Sequence, residues 1–208
     1  MRYLLVAGFL IVQLIVMAHS NAGTKVDNFQ DKLKAQYQTI KQGGIDKLNI
    51  KPADIYPLID DIKKDPHFQV RQVGQSFMQQ PIYEVKVGKG PIKVFMWSQM
   101  HGDEPTATAS LFDFFNYIRA PENQDWLAGW QDKITLYMVP MINPDGSELD
   151  QRFNAQSIDI NRDANYLQTP EGKLLNALAY EIQPDFGFNL HDQKRFYTVG
   201  STDKTATI

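Results

Sequence analysis

His101 and Glu104 are the residues whose types and spacing most directly suggest chemistry. They bound the segment His101-Gly-Asp-Glu104, so an imidazole and a carboxylate are separated by two residues. Zinc accepts imidazole nitrogen and carboxylate oxygen at about 2 Å, and Gly102 lets the backbone bend so that both groups can reach one ion. Taken alone, such a short pattern favours an ordinary solvated loop, so a metal site requires further residues.

A catalytic zinc site needs a third protein ligand and one open position for water. The chain has four histidines and no cysteine, so any metal must be held by histidine and carboxylate groups. His191 is the best third candidate, because it directly follows an apolar segment that is typical of a buried strand. His67 lies in a turn before the predicted strands and is interpreted as a surface histidine, and His19 lies in the apolar N-terminal segment.

The elements that position these residues can be predicted from apolar periodicity and capping residues. The predicted strands are 68–73, 82–87, 92–97, 134–141 and 186–190, with strand-like segments at 196–200 and 206–208, and the predicted helices are 106–117 and 169–182, with helical spacing also within 52–62. Strands that alternate with helices indicate an α/β sheet with helices on its faces. Reactive groups then lie in loops just past the strand ends, which is where His101 and His191 stand.

Two connecting segments are predicted to have no regular structure. Residues 121–132 are expected to form a loop, beneath which Trp126 and Trp130 pack rather than stack on a substrate. Asn143-Pro-Asp-Gly146 is a turn signal and is given no catalytic role.

Further polar motifs follow the first loop in a fixed order. They are Asn143-Pro-Asp-Gly146, Arg152, Asp159-Ile-Asn-Arg162 and Asn189-Leu-His191. Together with His101-Gly-Asp-Glu104, this ordered set resembles the zinc carboxypeptidases of the carboxypeptidase A and B family, over residues 68–200. The resemblance implies an α/β fold with a mixed, twisted sheet and helices on both faces.

The resemblance implies a role for each polar residue. His101, Glu104 and His191 would bind Zn²⁺, although such a ligand set also accepts other divalent ions. Asp159 would support a ligand histidine through a hydrogen bond.

The resemblance also implies how a peptide substrate would bind. Arg152 would act in catalysis by stabilising the negative charge that develops on the carbonyl oxygen. Asn161 and Arg162 would hold the free C-terminal carboxylate, because a guanidinium binds a carboxylate through two parallel hydrogen bonds. Without the resemblance, Arg152 is equally well an ordinary surface residue, and Arg162 equally well pairs with Asp163 or Asp159.

One expected catalytic group has no counterpart. The family uses a glutamate as general base, located well beyond the third zinc ligand, and no glutamate follows His191 in this chain. A tyrosine that family members bring over the substrate is also unmatched. We therefore expect residues 68–208 to be the N-terminal part of a longer catalytic domain, which this chain contains only in part. If Ile208 is the true end, we expect little hydrolysis.

The N-terminal region predicts secretion. Residues 1–22 combine a basic start, an apolar run and small residues, which is typical of a cleaved signal peptide; an uncleaved anchor is the alternative. Residues 23–67 are predicted to be a leader or helical segment. The net charge of -3 argues against nucleic-acid binding, and no membrane association is expected after cleavage. The expected location is secreted or periplasmic.

The leading functional hypothesis is a metallocarboxypeptidase that hydrolyses the C-terminal bond of peptides with a free carboxylate. A second is a zinc amidase or deacylase that acts on cell-wall peptides or acylated amino acids. A third is a catalytically dead module that binds peptide C-termini. The first two differ in substrate, since a carboxypeptidase should spare a peptide with an amidated C-terminus.

Overall fold

The computed structural model describes residues 22–45 and 48–192, with side chains from residue 29 onwards. Within these ranges the predicted strands and helices can be compared with the structure. The predicted signal peptide, up to residue 21, and the strand-like segments at 196–200 and 206–208 lie outside the described residues.

Five strands form one mixed sheet. They are β1 (Gln69–Gln75), β2 (Pro81–Gly88), β3 (Ile92–Ser98), β4 (Ile134–Val139) and β5 (Phe186–Leu190). Their order across the sheet is β1-β2-β4-β3-β5. β2 pairs antiparallel with both β1 and β4, whereas β3 pairs parallel with both β4 and β5. The predicted α/β class with a mixed sheet is confirmed.

The helices connect and cover these strands. They are α1 (Ala22–Ile40), α2 (Pro52–Ile62), α3 (Thr106–Arg119), α4 (Gln124–Ala128), α5 (Pro144–Glu148), α6 (Ile160–Asp163) and α7 (Pro170–Ile182), with a 3-10 turn at Pro121–Asn123. Capping follows the sequence at α7, where the Thr169 side chain accepts a hydrogen bond from the Gly172 amide.

Apolar side chains form a core on each face of the sheet. One core packs α2 and α3 against the sheet through residues such as Ile59, Phe115 and Met138. The other packs α6 and α7 against the opposite face through residues such as Phe95 and Leu178. Helices therefore lie on both faces, as the resemblance implied, and the sheet is fixed from two sides.

Three predictions of local structure are wrong in detail. Residues 121–132 contain the 3-10 turn and α4 rather than a loop, although Trp130 is buried and Trp126 packs on it, as expected. Asn143-Pro-Asp-Gly146 caps and begins α5, because the Asn143 side chain accepts from the Gly146 amide. β5 is only partly buried, because among the described strands it pairs with β3 alone.

None of the helices within residues 22–45 and 48–192 has the length and apolar character that a membrane span requires.

Candidate metal centre

The sheet brings two histidine loops to one edge. β3 and β5 are parallel neighbours with Ser98 opposite Leu190, so both strands end at the same edge. His191 directly follows β5, and His101 lies in the loop that follows β3. Their ring centroids are 4.7 Å apart, so the two imidazoles are close enough to bind one ligand together.

Glu104 lies between the two imidazoles and faces each with a different oxygen. Oε1 is 2.9 Å from His101 Nδ1, and Oε2 is 2.7 Å from His191 Nδ1. One ligand atom from each of these residues lies within 4.8 Å of the others, so the group could hold a metal ion. The His101 and Glu104 side chains are buried, whereas the His191 side chain is 27% exposed. A ligand could therefore approach from the His191 side.

Asp159 faces the other nitrogen of His101. Its Oδ1 is 3.2 Å from His101 Nε2, and its side chain also caps α6 by accepting from the Asn161 amide. An ionised carboxylate only accepts hydrogen bonds, so Asp159 favours the tautomer of a neutral His101 ring that carries its proton on Nε2. Nδ1 then carries the lone pair that a metal ligand requires.

The donor set fits a divalent cation. With its proton on Nε2, His101 Nδ1 is an acceptor that faces the acceptor Glu104 Oε1 at 2.9 Å. Two acceptors at this distance need a second ring proton or a shared cation. Arg152 Nη1, which can only donate, is 3.3 Å from the same Nδ1, and this contact favours the lone pair. Two imidazoles and one carboxylate are a known zinc ligand set.

The carboxylate of Glu104 is held in its charged form. Burial would raise the pKa of Glu104, but where Nδ1 of His101 and of His191 carries a proton in place of a metal, hydrogen bonds with these rings outweigh burial and lower the pKa to about 2. Burial likewise acts to raise the pKa of Asp159, yet the hydrogen bond and charge of Arg152 bring that pKa below its ordinary value. Two negative charges therefore flank His101, and such a surrounding attracts a cation.

Arg152 lies beside the centre rather than on the general surface. Its Nε and Nη2 donate to Asp159 Oδ2 at 3.0 and 2.9 Å. Its Nη1 lies 3.3 Å from His101 Nδ1 and 3.9 Å from Glu104 Oε1. This two-point hold on Asp159 leaves Nη1 directed toward the volume that the ligand atoms share.

Asn161 and Arg162 lie on α6, which Asp159 begins. The Asn161 carboxamide oxygen is 3.3 Å from Asn189 Nδ2, two residues before His191. Arg162 is exposed, and among the described residues it forms no ion pair. The structure does not place Arg162 with Asp159, which holds Arg152. Nor does it pair Arg162 with Asp163, whose oxygens accept from the Thr169 and Gln168 amides.

A family model described as zinc carboxypeptidase matches residues 55–191, which is more than half of the chain and includes the whole centre. The chain belongs to the zinc carboxypeptidase family. Members of this family are zinc-dependent hydrolases, so the family agrees with the chemistry of the donor set.

The matches to individual relatives cover only part of each relative's length. The chain is 33% identical over 106 residues to gamma-D-glutamyl-L-diamino acid endopeptidase 1 of Lysinibacillus sphaericus, a match that covers 46% of this chain and 27% of the relative. It is 28% identical over 101 residues to carboxypeptidase 2 of Trichophyton rubrum, a match that covers 49% of this chain and 18% of the relative. The chain thus spans about a quarter or less of these relatives.

The fold resembles that of part of a solved metallo-carboxypeptidase. The structure from Burkholderia cenocepacia superposes with a TM-score of 0.64 at 19% identity, covering 69% of this chain and 41% of that one. At this identity the likeness concerns the fold alone.

Asn143 and Gln99, which had no predicted role at the centre, support the loop that carries His101 and Glu104. Asn143 Nδ2 donates to the Met100 carbonyl, next to His101. Gln99, which is fully buried with φ of 51°, donates to the Gly102 carbonyl and to Ser147 Oγ. These bonds tie the His101 loop to α5. Only the Asn-Pro-Asp-Gly motif could have suggested this packing from the sequence.

His67 does not belong to the centre. Its side chain is 30% exposed and lies between Asp65, 2.6 Å from Nδ1, and Gln124, 2.9 Å from Nε2. The ring is therefore half-buried and held by hydrogen bonds on both sides, whereas a surface histidine was predicted. It contacts no residue of the metal group.

Proposed function

We propose that this protein is a zinc-dependent hydrolase that removes the C-terminal residue of peptides, with His101, Glu104 and His191 as the metal ligands. The observation that carries the proposal is the arrangement of two imidazole Nδ1 atoms, 2.9 and 2.7 Å from the two oxygens of one buried carboxylate. Zinc is the metal that the family and this ligand set favour over other divalent ions.

The roles of the residues follow from their contacts. Zinc bound there would polarise a carbonyl group and lower the pKa of water. Asp159 keeps the His101 proton on Nε2 and so keeps Nδ1 available to the metal. Arg152, held by Asp159, presents Nη1 N–H groups beside the ligand atoms, where a donor would stabilise negative charge developing on a carbonyl oxygen.

The substrate carboxylate would bind at the start of α6. Arg162 is exposed and lacks an ion pair among the described residues, so its guanidinium is available for an anion. Asn161 lies next to it, with its carboxamide oxygen occupied by Asn189, which leaves the amide N–H groups to donate. A guanidinium and an amide together would select a peptide that ends in a free carboxylate. We assign the proton transfer to none of the described residues.

A second function is favoured by one relative. The match to an endopeptidase for gamma-D-glutamyl-L-diamino acid bonds supports the alternative of a zinc amidase for cell-wall peptides. Secretion to the outside or the periplasm stays a prediction from the sequence. The domain boundaries also stay predictions: residues 1–22 as signal peptide, 23–67 as leader or helical segment, and 68–208 as part of the catalytic domain.

Peptide binding to the zinc-loaded chain separates these functions. We expect a short peptide with a free C-terminal carboxylate to bind, and the same peptide with an amidated C-terminus to bind at least ten-fold more weakly, since a charge-assisted bond contributes about 1.5–3 kcal/mol. Arg162→Ala should remove this difference, whereas the exposed control Lys89→Ala should keep it. Equal binding of both peptides would contradict the carboxypeptidase proposal, and turnover of either peptide would exclude a dead binding module.

A further inference from the structure

The N-terminus of α3 obtains its cap from a distant residue. α3 begins at Thr106, two residues after Glu104, and Pro105 before it offers no side-chain hydrogen bond. The first amide groups of a helix have no partner within the helix. The Thr106 amide donates instead to Asp192 Oδ2 at 2.9 Å. Asp192 directly follows His191, so this cap joins the ends of β5 and the His101 loop.

The main chain of Asp192 makes a second connection to the same loop. Its amide donates to Glu104 Oε2 at 3.3 Å, and this is the oxygen that His191 Nδ1 approaches at 2.7 Å. The side chain and the backbone of one residue thus both contact the segment 104–106. His191 is fixed relative to Glu104 by these two bonds in addition to the strand pairing.

We infer that Asp192 is a positioning residue, which holds His191 against Glu104 by capping α3. The inference rests on the proposed function, in which these two residues bind zinc. Within residues 48–192, β5 pairs with β3 alone, so in this part of the chain strand pairing restrains the end of β5 from one side. The Asp192 bridge supplies a restraint at the position where the third ligand leaves the strand.

A general stabilisation of β5 is the competing explanation, and the chain offers a matched control. Asp185 also accepts a backbone hydrogen bond through its side chain, from the Lys93 amide at 2.8 Å, just before β5 begins. It is exposed and lies at the opposite end of the strand from His191. Asp185→Ala therefore removes the same kind of bond from the same strand without touching the bridge.

The test compares Asp192→Ala, Asp192→Asn and Asp185→Ala in the full 208-residue chain. We expect Asp192→Ala to raise the zinc dissociation constant about 10- to 100-fold, which is the usual effect of removing a hydrogen-bond partner of a metal ligand. Competition with a chromophoric chelator measures this constant. Asp192→Asn should restore most of the affinity, because an asparagine oxygen also caps helices. Asp185→Ala should bind zinc as the unchanged chain does. Unchanged affinity in Asp192→Ala, or equal losses in Asp192→Ala and Asp185→Ala, would overturn the inference.

A second measurement does not depend on zinc. In the metal-free chain, the Thr106 amide should exchange with deuterium faster in Asp192→Ala than in the unchanged chain and in Asp185→Ala, because its acceptor is lost. If the unchanged chain fails to bind zinc, the proposed function fails, and the exchange rate still decides whether the bridge exists. Unchanged exchange of Thr106 would overturn the inference by itself.

Discussion

At the scale of single residues, Asp159 joins the metal ligands to the arginine beside them. It faces His101 Nε2 at 3.2 Å and holds Arg152 through Nε and Nη2. Removing its carboxylate should leave the His101 tautomer unspecified and Arg152 without its anchor. The effect should therefore appear in metal binding even though Asp159 would not contact the metal.

Asp159→Ala is expected to weaken zinc binding about 10- to 100-fold. A titration of the metal-free variant against a competing chelator measures this. Asp132→Ala is the control, because Asp132 forms an exposed ion pair with Lys89 and lies outside the metal group. This variant should bind zinc normally. An Asp159→Ala variant with the affinity of this control would show that Asp159 has no supporting role.

Asp163 links the end of α6 to the cap of α7. It is 1% exposed, and its oxygens accept from the Thr169 hydroxyl and from the amides of Gln168 and Thr169. Burial acts to raise the pKa of Asp163, but these hydrogen bonds bring it below its ordinary value. A lowered folded-state pKa stabilises the protein above the unfolded-state value of about 3.9, and this stability is lost as the pH falls through the folded-state pKa.

Asp163→Asn should lower the free energy of unfolding by about 1–3 kcal/mol at pH 7. Urea denaturation of the variant and the unchanged chain can be repeated as the pH is lowered below about 4. The difference between their free energies of unfolding should become smaller as Asp163 becomes protonated. A gap that keeps its size at low pH would mean that the charge of Asp163 is not involved.

At the same scale, the sequence predicts the chemistry of the centre better than its support. His101, Glu104 and His191 meet as the ordered motifs indicate, because each residue is chemically distinctive and follows a strand. The bonds of Gln99 and Asp192 could not be predicted in this way. The bond from Gln99 to Ser147 joins residues 48 positions apart, and the bond from Thr106 to Asp192 joins residues 86 positions apart. Only the three-dimensional packing shows which of these groups lie close together.

At the scale of elements, the contact between the His101 loop and α5 depends on Gly102. A Cβ on Gly102 would lie 2.0 Å from the Gly146 carbonyl carbon and 2.2 Å from the Ser147 amide nitrogen. Both are backbone atoms, so no side-chain rotation can make room. Gly102 is therefore needed for close approach as well as for the bend that the sequence suggested.

Gly102→Ala is expected to destabilise the fold by about 3 kcal/mol or more, since inserting a methyl group into packed structure costs about 1–3 kcal/mol and backbone must move here. Zinc affinity should fall as well, because the loop carries two ligands. Gly43→Ala is the control: its Cβ would meet nothing within 4 Å, so its free energy of unfolding should change by less than about 1 kcal/mol. Similar stability of the two variants would contradict this packing.

The elements themselves were predictable where their apolar periodicity was clear. Strands β1 to β3 and helices α3 and α7 have clear apolar periodicity and capping residues, and the structure contains them within a few residues of the predicted bounds. The five-residue helices α4 and α5 were missed. A helix of one turn has no periodicity to detect, and Asn143-Pro-Asp-Gly146 also fits a turn.

At the scale of the whole molecule, the sheet determines where chemistry can occur. Helices pack on both faces, so the accessible reactive positions lie at the edge where the parallel strands β3, β4 and β5 end. The class of fold followed from the alternation of strands and helices. The order of the strands did not, because sequence patterns describe each strand without its neighbours.

Metal binding at this edge should stabilise the whole fold. A ligand that binds only the folded state at one hundred times its dissociation constant contributes about 2.7 kcal/mol. Thermal denaturation with and without zinc should therefore show a higher melting temperature with zinc. The increase should disappear in Glu104→Ala, and an equal increase in this variant would point to zinc binding elsewhere.

The most direct test of the account is a zinc titration of the metal-free chain. We expect one tightly bound zinc ion per chain, lost in Glu104→Ala and in His191→Ala. His67→Gln should bind normally, because His67 contacts Asp65 and Gln124 and no member of the metal group. Failure of the unchanged chain to bind zinc, or undiminished binding by Glu104→Ala and His191→Ala, would contradict the assignment of this centre.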